Sequence, residues 1–365
     1  MKKIGFCIDS LETGGAERLL VDIVNTLYET KEYEIHILTK LKSNSYFFNL
    51  IKDKIKYDFL LEKKSEGFFS KTRDSIIKKI NFKKFSEKID IIIDFLDGDF
   101  SSYIKNIKNK KKIVWLHSSY KNLLIRKKNI DEKLKNYDKI LVIADDMEKE
   151  LLEARKDLKN ICKIDNFVDY QEIDKKINEE LKIDFNFNQK YFLTVCRLNE
   201  EQKDVKTLIE AFSLYKGDEK LVIAGDGPDR KMLEDLCIEK NLKDNVIFLG
   251  MINNPFIFMK NSQAFILSSK VEGFGLVLIE ALYCGAKVIS SNCPTGPSQI
   301  LLNGEVGELF EVSNVAELLN KLEIIHYKEY NKAKIEETLK RYTRENFVNN
   351  FRKVKIKMNF KEVNK

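Results

Sequence analysis

The chain has 365 residues, 43% hydrophobic and 33% charged, with 64 Lys+Arg against 57 Asp+Glu. That length and apolar content provide for two domains, each with its own core, and exclude a disordered chain. Six cysteines without metal-ligand spacing and only three histidines exclude a metal cage, and predict reduced thiols, no disulfides and a cytoplasmic setting.

MKKIGFCIDS opens like a signal peptide, but Asp9 interrupts the apolar run, and no window nears the ~18 apolar residues of a membrane span. The runs KIGFCID (3–9), EIHILTK (34–40), IDIIIDFL (89–96), KIVWLHS (112–118) and KILVIAD (139–145) read as strands separated by helical segments. Such alternation predicts a parallel sheet with helices on both faces. Ligands of such sheets bind at the carboxyl ends of strands. That draws attention to Gly14, Gly15 and Arg18 in the GGAER helix start, to Asp97 after the third run, and to His117 after Trp115-Leu116. Asp97-Gly98-Asp99 has the DxD pattern that can hold a divalent ion. Chance occurrence in a chain rich in acids is the preferred explanation, and no metal is expected.

Residues 1–165 hold 35 Lys+Arg against 27 Asp+Glu, an excess of 8, while the remainder is nearly neutral. The excess is concentrated in KTRDSIIKKINFKKFSEK (71–88) and KNLLIRKK (121–128), where basic and apolar residues interleave. Basic amphipathic helices of this kind lie on anionic membrane surfaces; a solvated helix face is the competing explanation. No RNA- or DNA-binding motif accompanies the charge, so nucleic acid is not an expected partner.

The polar stretch 165–189 breaks the rhythm and is expected to connect the domains, with the boundary near residue 168. A second strand series follows: KYFLTVCRL (190–198), KLVIAGDG (220–227), VIFLG (246–250), AFILSS (264–269) and KVISSN (287–292). Arg197 ends the first of these, and Lys203 lies six residues on, just before a helix. Preorganised cations so placed can converge on a departing diphosphate. A salt-bridged surface lysine is the competing explanation for Lys203. Gly250 ends the third run and Met251 follows it.

The richest stretch is VEGFGLVLIEALYCGAKVISS (271–291). LVLIEALYCG has helical apolar spacing with Gly285 as a stop. Glycines before it let the backbone approach a ligand, and the N–H groups of Phe274, Gly275, Leu276 and Val277 at the helix start suit a phosphate. Glu272 in the loop can reach a hexose. Glu280, about one turn into the helix, can accept both hydroxyls of a ribose.

With IDSLETGGAERLLVDIVNTL (8–27), WLHSSY (115–120), CRLNEEQKDVKTLIEAF (196–212), AGDGPDRKMLEDL (224–236) and NCPTGPSQILLNGEVGELF (292–310), this stretch resembles the retaining glycosyltransferases of family 4 over nearly the whole chain. The resemblance implies an α/β fold of the GT-B type: two facing Rossmann-like domains with parallel sheets and an interdomain cleft. The expected domains are 1–168, binding acceptor, and 169–342, binding the nucleotide sugar. The tail 343–365 is expected to supply a helix that crosses back onto the first domain.

It implies a retaining transfer of a hexose or N-acetylhexosamine from a UDP-linked donor to a bacterial surface glycan or its lipid-linked precursor. No cofactor or metal would take part. Glu272, His117, Arg197 and Lys203 would be catalytic. Gly14, Gly15, Arg197, Lys203, Gly250, Met251, Glu272, Phe274, Gly275, Leu276, Val277 and Glu280 would hold the donor. Asp97 and Arg18 would touch the acceptor, at the inner face of the cell membrane. A UDP-sugar epimerase of the same fold is the alternative; it needs further carboxylates facing the sugar.

Overall fold

The computed structural model describes residues 1–12, 14–66, 70–181, 183 and 185–356, with side chains through Val354. The chain divides into two units, 1–164 together with the chain from 348, and 165–347. These divisions stand against the 168/169 and 342/343 read from the sequence.

The first unit contains β1 (Lys2–Ile8), β2 (Tyr33–Leu41), β3 (Lys56–Leu61), β4 (Ile91–Asp94), β5 (Lys111–Trp115), β6 (Lys139–Val142) and β7 (Ile161–Lys163) in the order β3-β2-β1-β4-β5-β6-β7. Every pairing is parallel. The strand order reverses between β1 and β4, which are joined in register from Ile4↔Ile91 to Cys7↔Asp94. Helices cover both faces, so the central strands bury every residue of IIID, and burial of each isoleucine contributes ~1.5–3 kcal/mol.

The second unit contains β8 (Tyr191–Val195), β9 (Lys220–Ala224), β10 (Val246–Gly250), β11 (Ala264–Leu267), β12 (Val288–Ser291) and β13 (Glu308–Phe310) in the order β10-β9-β8-β11-β12-β13, again all parallel. Its order reverses between β8 and β11. The loops that leave these two strands, 196–204 and 268–275, are therefore neighbours at the carboxyl edge, although 60 or more residues of chain separate them.

Three readings of the sequence change. Edge strands β3, β7 and β13 do not appear among the predicted runs. Within the segment expected to be a connector, Tyr170–Ile177 is a helix of the second unit, with Asp169 capping it, Ile173 buried and Tyr170 stacked on Tyr283 at 4.2 Å. The basic stretch 71–88 falls in the helix Ser70–Glu87, but its apolar residues are not gathered on one face: Phe82 and Phe85 are buried, whereas Ile76 and Ile80 are exposed. Lys79, Lys83 and Lys84 are exposed and Lys78 is half-buried.

The last helix, Arg344–Ile356, begins in the second unit and ends in the first. Residues 357–365 of the expected tail lie outside the described residues. Among the described residues, no helix is long and apolar enough to cross a membrane.

Candidate functional site

In the second unit the two loops at the strand reversal are stitched together. The Lys270 N–H donates to the Gln202 carbonyl at 2.8 Å, and the Ser268 hydroxyl donates to the Lys203 carbonyl at 2.9 Å. Lys270 also pairs with Asp204 at 3.2 Å. Across this seam the Lys203 ammonium meets Glu272 Oε1 at 2.6 Å. Burial would lower the Lys203 pKa, but the charge and hydrogen bond of Glu272 outweigh it and leave the ammonium above its usual value. Burial pushes the thiols of Cys196 and Cys293 up to about 12, so they stay neutral beside this pair.

The structure thus joins Lys203 to Glu272, where the sequence suggested a convergence with Arg197. Arg197 itself is exposed, and no ion pair or hydrogen bond holds its guanidinium among the described residues.

Beyond Glu272 the chain enters the helix Leu276–Tyr283 through Gly275, whose φ of +89° is left-handed backbone that a side chain would strain. Gly296 (φ +107°) closes the neighbouring turn; a Cβ there would stand 1.8 Å from the Phe274 carbonyl oxygen. Phe274 is 3% exposed, its ring edge-on to Tyr342 at 5.5 Å, so it can offer a ligand only its backbone. Leu276, Val277, Glu280 and Tyr283 form the half-buried stripe of the helix, while Leu278, Ile279, Ala281 and Leu282 face the core. Gly250 (φ +68°) accepts the Gly225 N–H at 2.8 Å, and the Met251 side chain beside it is exposed.

Ser269 was not singled out in the sequence. Its hydroxyl donates to Glu272 Oε1 at 2.6 Å, and its own carbonyl accepts the Ser291 hydroxyl at 2.5 Å. The available signal was a hydroxyl three residues before the glutamate at the end of a buried strand, a spacing that local side-chain hydrogen bonds favour.

In the first unit, Gly14 precedes the helix Gly15–Glu29, and a Cβ at Gly15 would meet nothing within 4 Å among the described residues apart from its chain neighbours and its own helical turn. Arg18 is tied to Asp22 at 3.0 Å. His117 is buried, its ring 4.4 Å from that of Phe95, and its Nε2 has no hydrogen-bond partner among the described residues. Desolvation lowers its pKa to about 3, so the imidazole is neutral at ordinary pH.

Asp97, read as an acceptor ligand, turns inward: Oδ1 accepts the His117 N–H at 2.8 Å and Oδ2 the Ser118 hydroxyl at 2.9 Å. The Lys127 ammonium fills the DxD turn, donating to the Asp97 carbonyl at 3.0 Å and to Asp99 Oδ1 at 2.7 Å. One step earlier, fully buried Asp94 accepts the Phe100 N–H at 2.9 Å and the Tyr137 hydroxyl at 2.5 Å through Oδ2, which shapes the same turn. Ser118, Lys127 and Asp94 lie in WLHSSY, KNLLIRKK and IDIIIDFL, but nothing in those segments signals that they meet at this turn. Among the described residues, no cluster of three or more His, Cys, Asp or Glu side chains could hold a metal ion.

Residues 175–346, just under half the chain, match the family model described as Glycosyl transferases group 1. Over 336 residues the chain is 28% identical to the N-acetylgalactosamine-N,N'-diacetylbacillosaminyl-diphospho-undecaprenol 4-alpha-N-acetylgalactosaminyltransferase of Campylobacter jejuni, covering 86% of this chain and 87% of that protein. Among solved structures, the lipopolysaccharide outer core galactosyltransferase WaaB in its apo form aligns with a TM-score of 0.76 at 22% identity, over 98% of this chain and 99% of the other. Anabaena HepE in complex with UDP-glucose aligns with a TM-score of 0.80 at 17% identity, over 98% and 99%.

Proposed function

We propose that this chain, a glycosyltransferase with the GT-B fold, is a retaining, metal-independent enzyme that moves a hexose or N-acetylhexosamine from a UDP-linked donor to a lipid-linked glycan. The observation that carries the reading is the seam between loops 196–204 and 268–275, where Lys203, Glu272 and the glycine-led helix start stand together at the strand reversal. Cations and helix N–H groups suit a diphosphate, and carboxylates suit sugar hydroxyls.

In this reading Arg197 and Lys203 stabilise the charge that develops on the UDP phosphate as the anomeric C–O bond breaks. That phosphate takes the proton of the acceptor hydroxyl, whose oxygen bonds to the same face of the sugar. Glu272 orients the hexose and Glu280 accepts the ribose hydroxyls. The main chain of Phe274, Gly275, Leu276 and Val277 holds the diphosphate, and Gly250 and Met251 border the base. Neutral His117 supports the sugar by hydrogen bonding, Gly14 and Gly15 approach the donor phosphates, Arg18 faces the acceptor, and Asp97 acts by holding His117.

A UDP donor is supported by the UDP-glucose complex of HepE, and a lipid-linked acceptor by the diphospho-undecaprenol in the name of the Campylobacter relative. Exposed Ile76 and Ile80 beside Lys79 and Lys83, and exposed Leu124 and Ile125 beside Arg126 and Lys128, support docking on an anionic bilayer.

The test is UDP release from UDP-Glc, UDP-Gal, UDP-GlcNAc and UDP-GalNAc with crude lipid-linked oligosaccharide and excess EDTA. Acceptor-dependent release with an α-linked product is expected. A sugar epimerised without acceptor, or release that requires Mn²⁺, overturns the reading.

A further inference from the structure

Glu272 is bound in an uneven way. Both of its protein partners, the Lys203 ammonium and the Ser269 hydroxyl, converge on Oε1 at 2.6 Å, and Oε2 accepts no hydrogen bond among the described residues. The side chain of Glu272 is only 10% exposed and that of Lys203 20%. Ser269 has no exposure, and its backbone is fixed from the next strand by the Ser291 hydroxyl at 2.5 Å. Its hydroxyl is therefore a rigid donor.

A carboxylate held by lysine alone can rotate and exchange its two oxygens, because an ammonium is a flexible point charge without directional preference. A second donor from a fixed hydroxyl removes that freedom and presents a single oxygen outward. Groups that read a ligand gain most when their own rotamer is locked by such a partner.

From this geometry we infer that Ser269 is a positioning residue: it pins Glu272 Oε1 so that Oε2 alone faces the donor's sugar and sets which sugar is accepted. The inference rests on the assignment of Glu272 to the sugar, and it also makes a claim about the ligand-free protein that does not need a donor. Glu272 covers Lys203 only as firmly as Ser269 holds it.

Ser269→Ala is compared with Ser290→Ala, which removes an equally buried hydroxyl whose partner is the Ser291 carbonyl at 2.9 Å and not Glu272. In the ligand-free chain, acetic anhydride labelling of Lys203 read by mass spectrometry should speed up severalfold in Ser269→Ala and stay at the wild-type rate in Ser290→Ala. With the four UDP-sugars, Ser269→Ala should lower kcat about fivefold or more and narrow the kcat/KM ratio between the best and second-best donors. UDP affinity by calorimetry should stay within about twofold, and Ser269→Thr, which keeps the hydroxyl, should restore donor preference.

Unchanged labelling, or labelling and kinetics that shift alike in both alanine variants, overturns the role of Ser269. Altered labelling with no use of any UDP-sugar by the wild type leaves the pin intact and rejects only the donor assignment.

Discussion

With Asp94 replaced by Asn, the first unit should gain stability relative to wild type as the pH rises from acid to alkaline. Asp94 ends β4 with no exposure, its Oδ2 accepts from Phe100 and Tyr137, and its Oδ1 is buried without a partner among the described residues. Burial, only partly offset by these two bonds, raises its carboxyl from 3.8 to about 7. The sign follows from proton counting. Between those values the folded chain holds a proton that the unfolded chain has released, so stability falls as pH rises through the window and levels off above it.

Each pH unit costs about 1.4 kcal/mol, so the whole window amounts to about 4 kcal/mol as an upper bound, and the part from pH 5 to 7 to about 3 kcal/mol. Asparagine copies the protonated acid in shape and charge, but its amide places two N–H donors where the acid has one hydroxyl; that added cost does not vary with pH and cancels when two pH values are compared. His117, held near 3 by burial, gives a slope of opposite sign below about 6.5, but it is present in both proteins and cancels in the comparison. The assay is urea unfolding followed by tryptophan fluorescence. Trp115 is the only tryptophan, lies in the first unit and is fully buried, so the signal reports that unit. Asp94→Asn should gain about 3 kcal/mol relative to wild type between pH 5 and pH 8. A difference that is the same at both pH values refutes the argument.

Three further outcomes are expected. Arg197→Ala should lower kcat ~10²-fold, as for loss of one preorganised transition-state donor, and should leave the melting temperature unchanged because the guanidinium has no partner among the described residues; near-normal turnover removes it from the leaving-group site. Glu280→Gln should weaken UDP binding by ~1.5–3 kcal/mol, the range for hydrogen bonds to a charged group, and unaltered calorimetry would sink the ribose role. Changing Lys78, Lys79, Lys83 and Lys84 together to Gln should release the protein from anionic vesicles, at ~1 kcal/mol for each lysine that meets the surface. Half-buried Lys78 should matter least, and a wild type that does not sediment with such vesicles at low salt rules out docking.

Central strands, covered on both faces, were the easiest to read in the sequence, whereas VIFLG, an edge strand half-buried in its middle, was legible through its apolar residues alone. IIID, AFIL and VIS read as apolar runs because each residue meets either a helix layer or the core. KYDFLL, ICK and ELF lie at sheet edges and are interrupted by Lys, Asp or Glu, and so leave no comparable apolar run. The helix Tyr170–Ile177 escaped for a similar reason: Ile173 alone is buried, Tyr170 and Ile177 are half-buried, and the other positions are polar. Interleaved Lys, Ile and Phe in 71–88 looked amphipathic by composition, but the angular positions of Ile76 and Ile80 point them away from Phe82 and Phe85. At the site, Lys203 and Glu272 could be named separately from their local motifs. Their pairing could not, because it depends on the reversal of strand order between β8 and β11. Ser269 was hidden for the opposite reason, since a serine at a strand end is common and only the direction of its hydroxyl gives it meaning.

The final helix bears on how the protein is made. Phe351, which sits edge-on to Tyr33 at 5.9 Å and stacked near Trp115 at 6.4 Å, belongs to the core of the unit that the ribosome delivers first. Arg352 adds an ion pair to Glu32 across 320 residues of sequence. Units of a nascent chain ordinarily fold in order of emergence. This first unit must instead wait with an open aromatic seam while the whole of 165–347 is synthesised and folds. Its exposure to chaperones and proteases during translation is then set by the length of the unit inserted within it, and a nonsense codon anywhere before residue 348 strands the amino-terminal sheet without its last core residues.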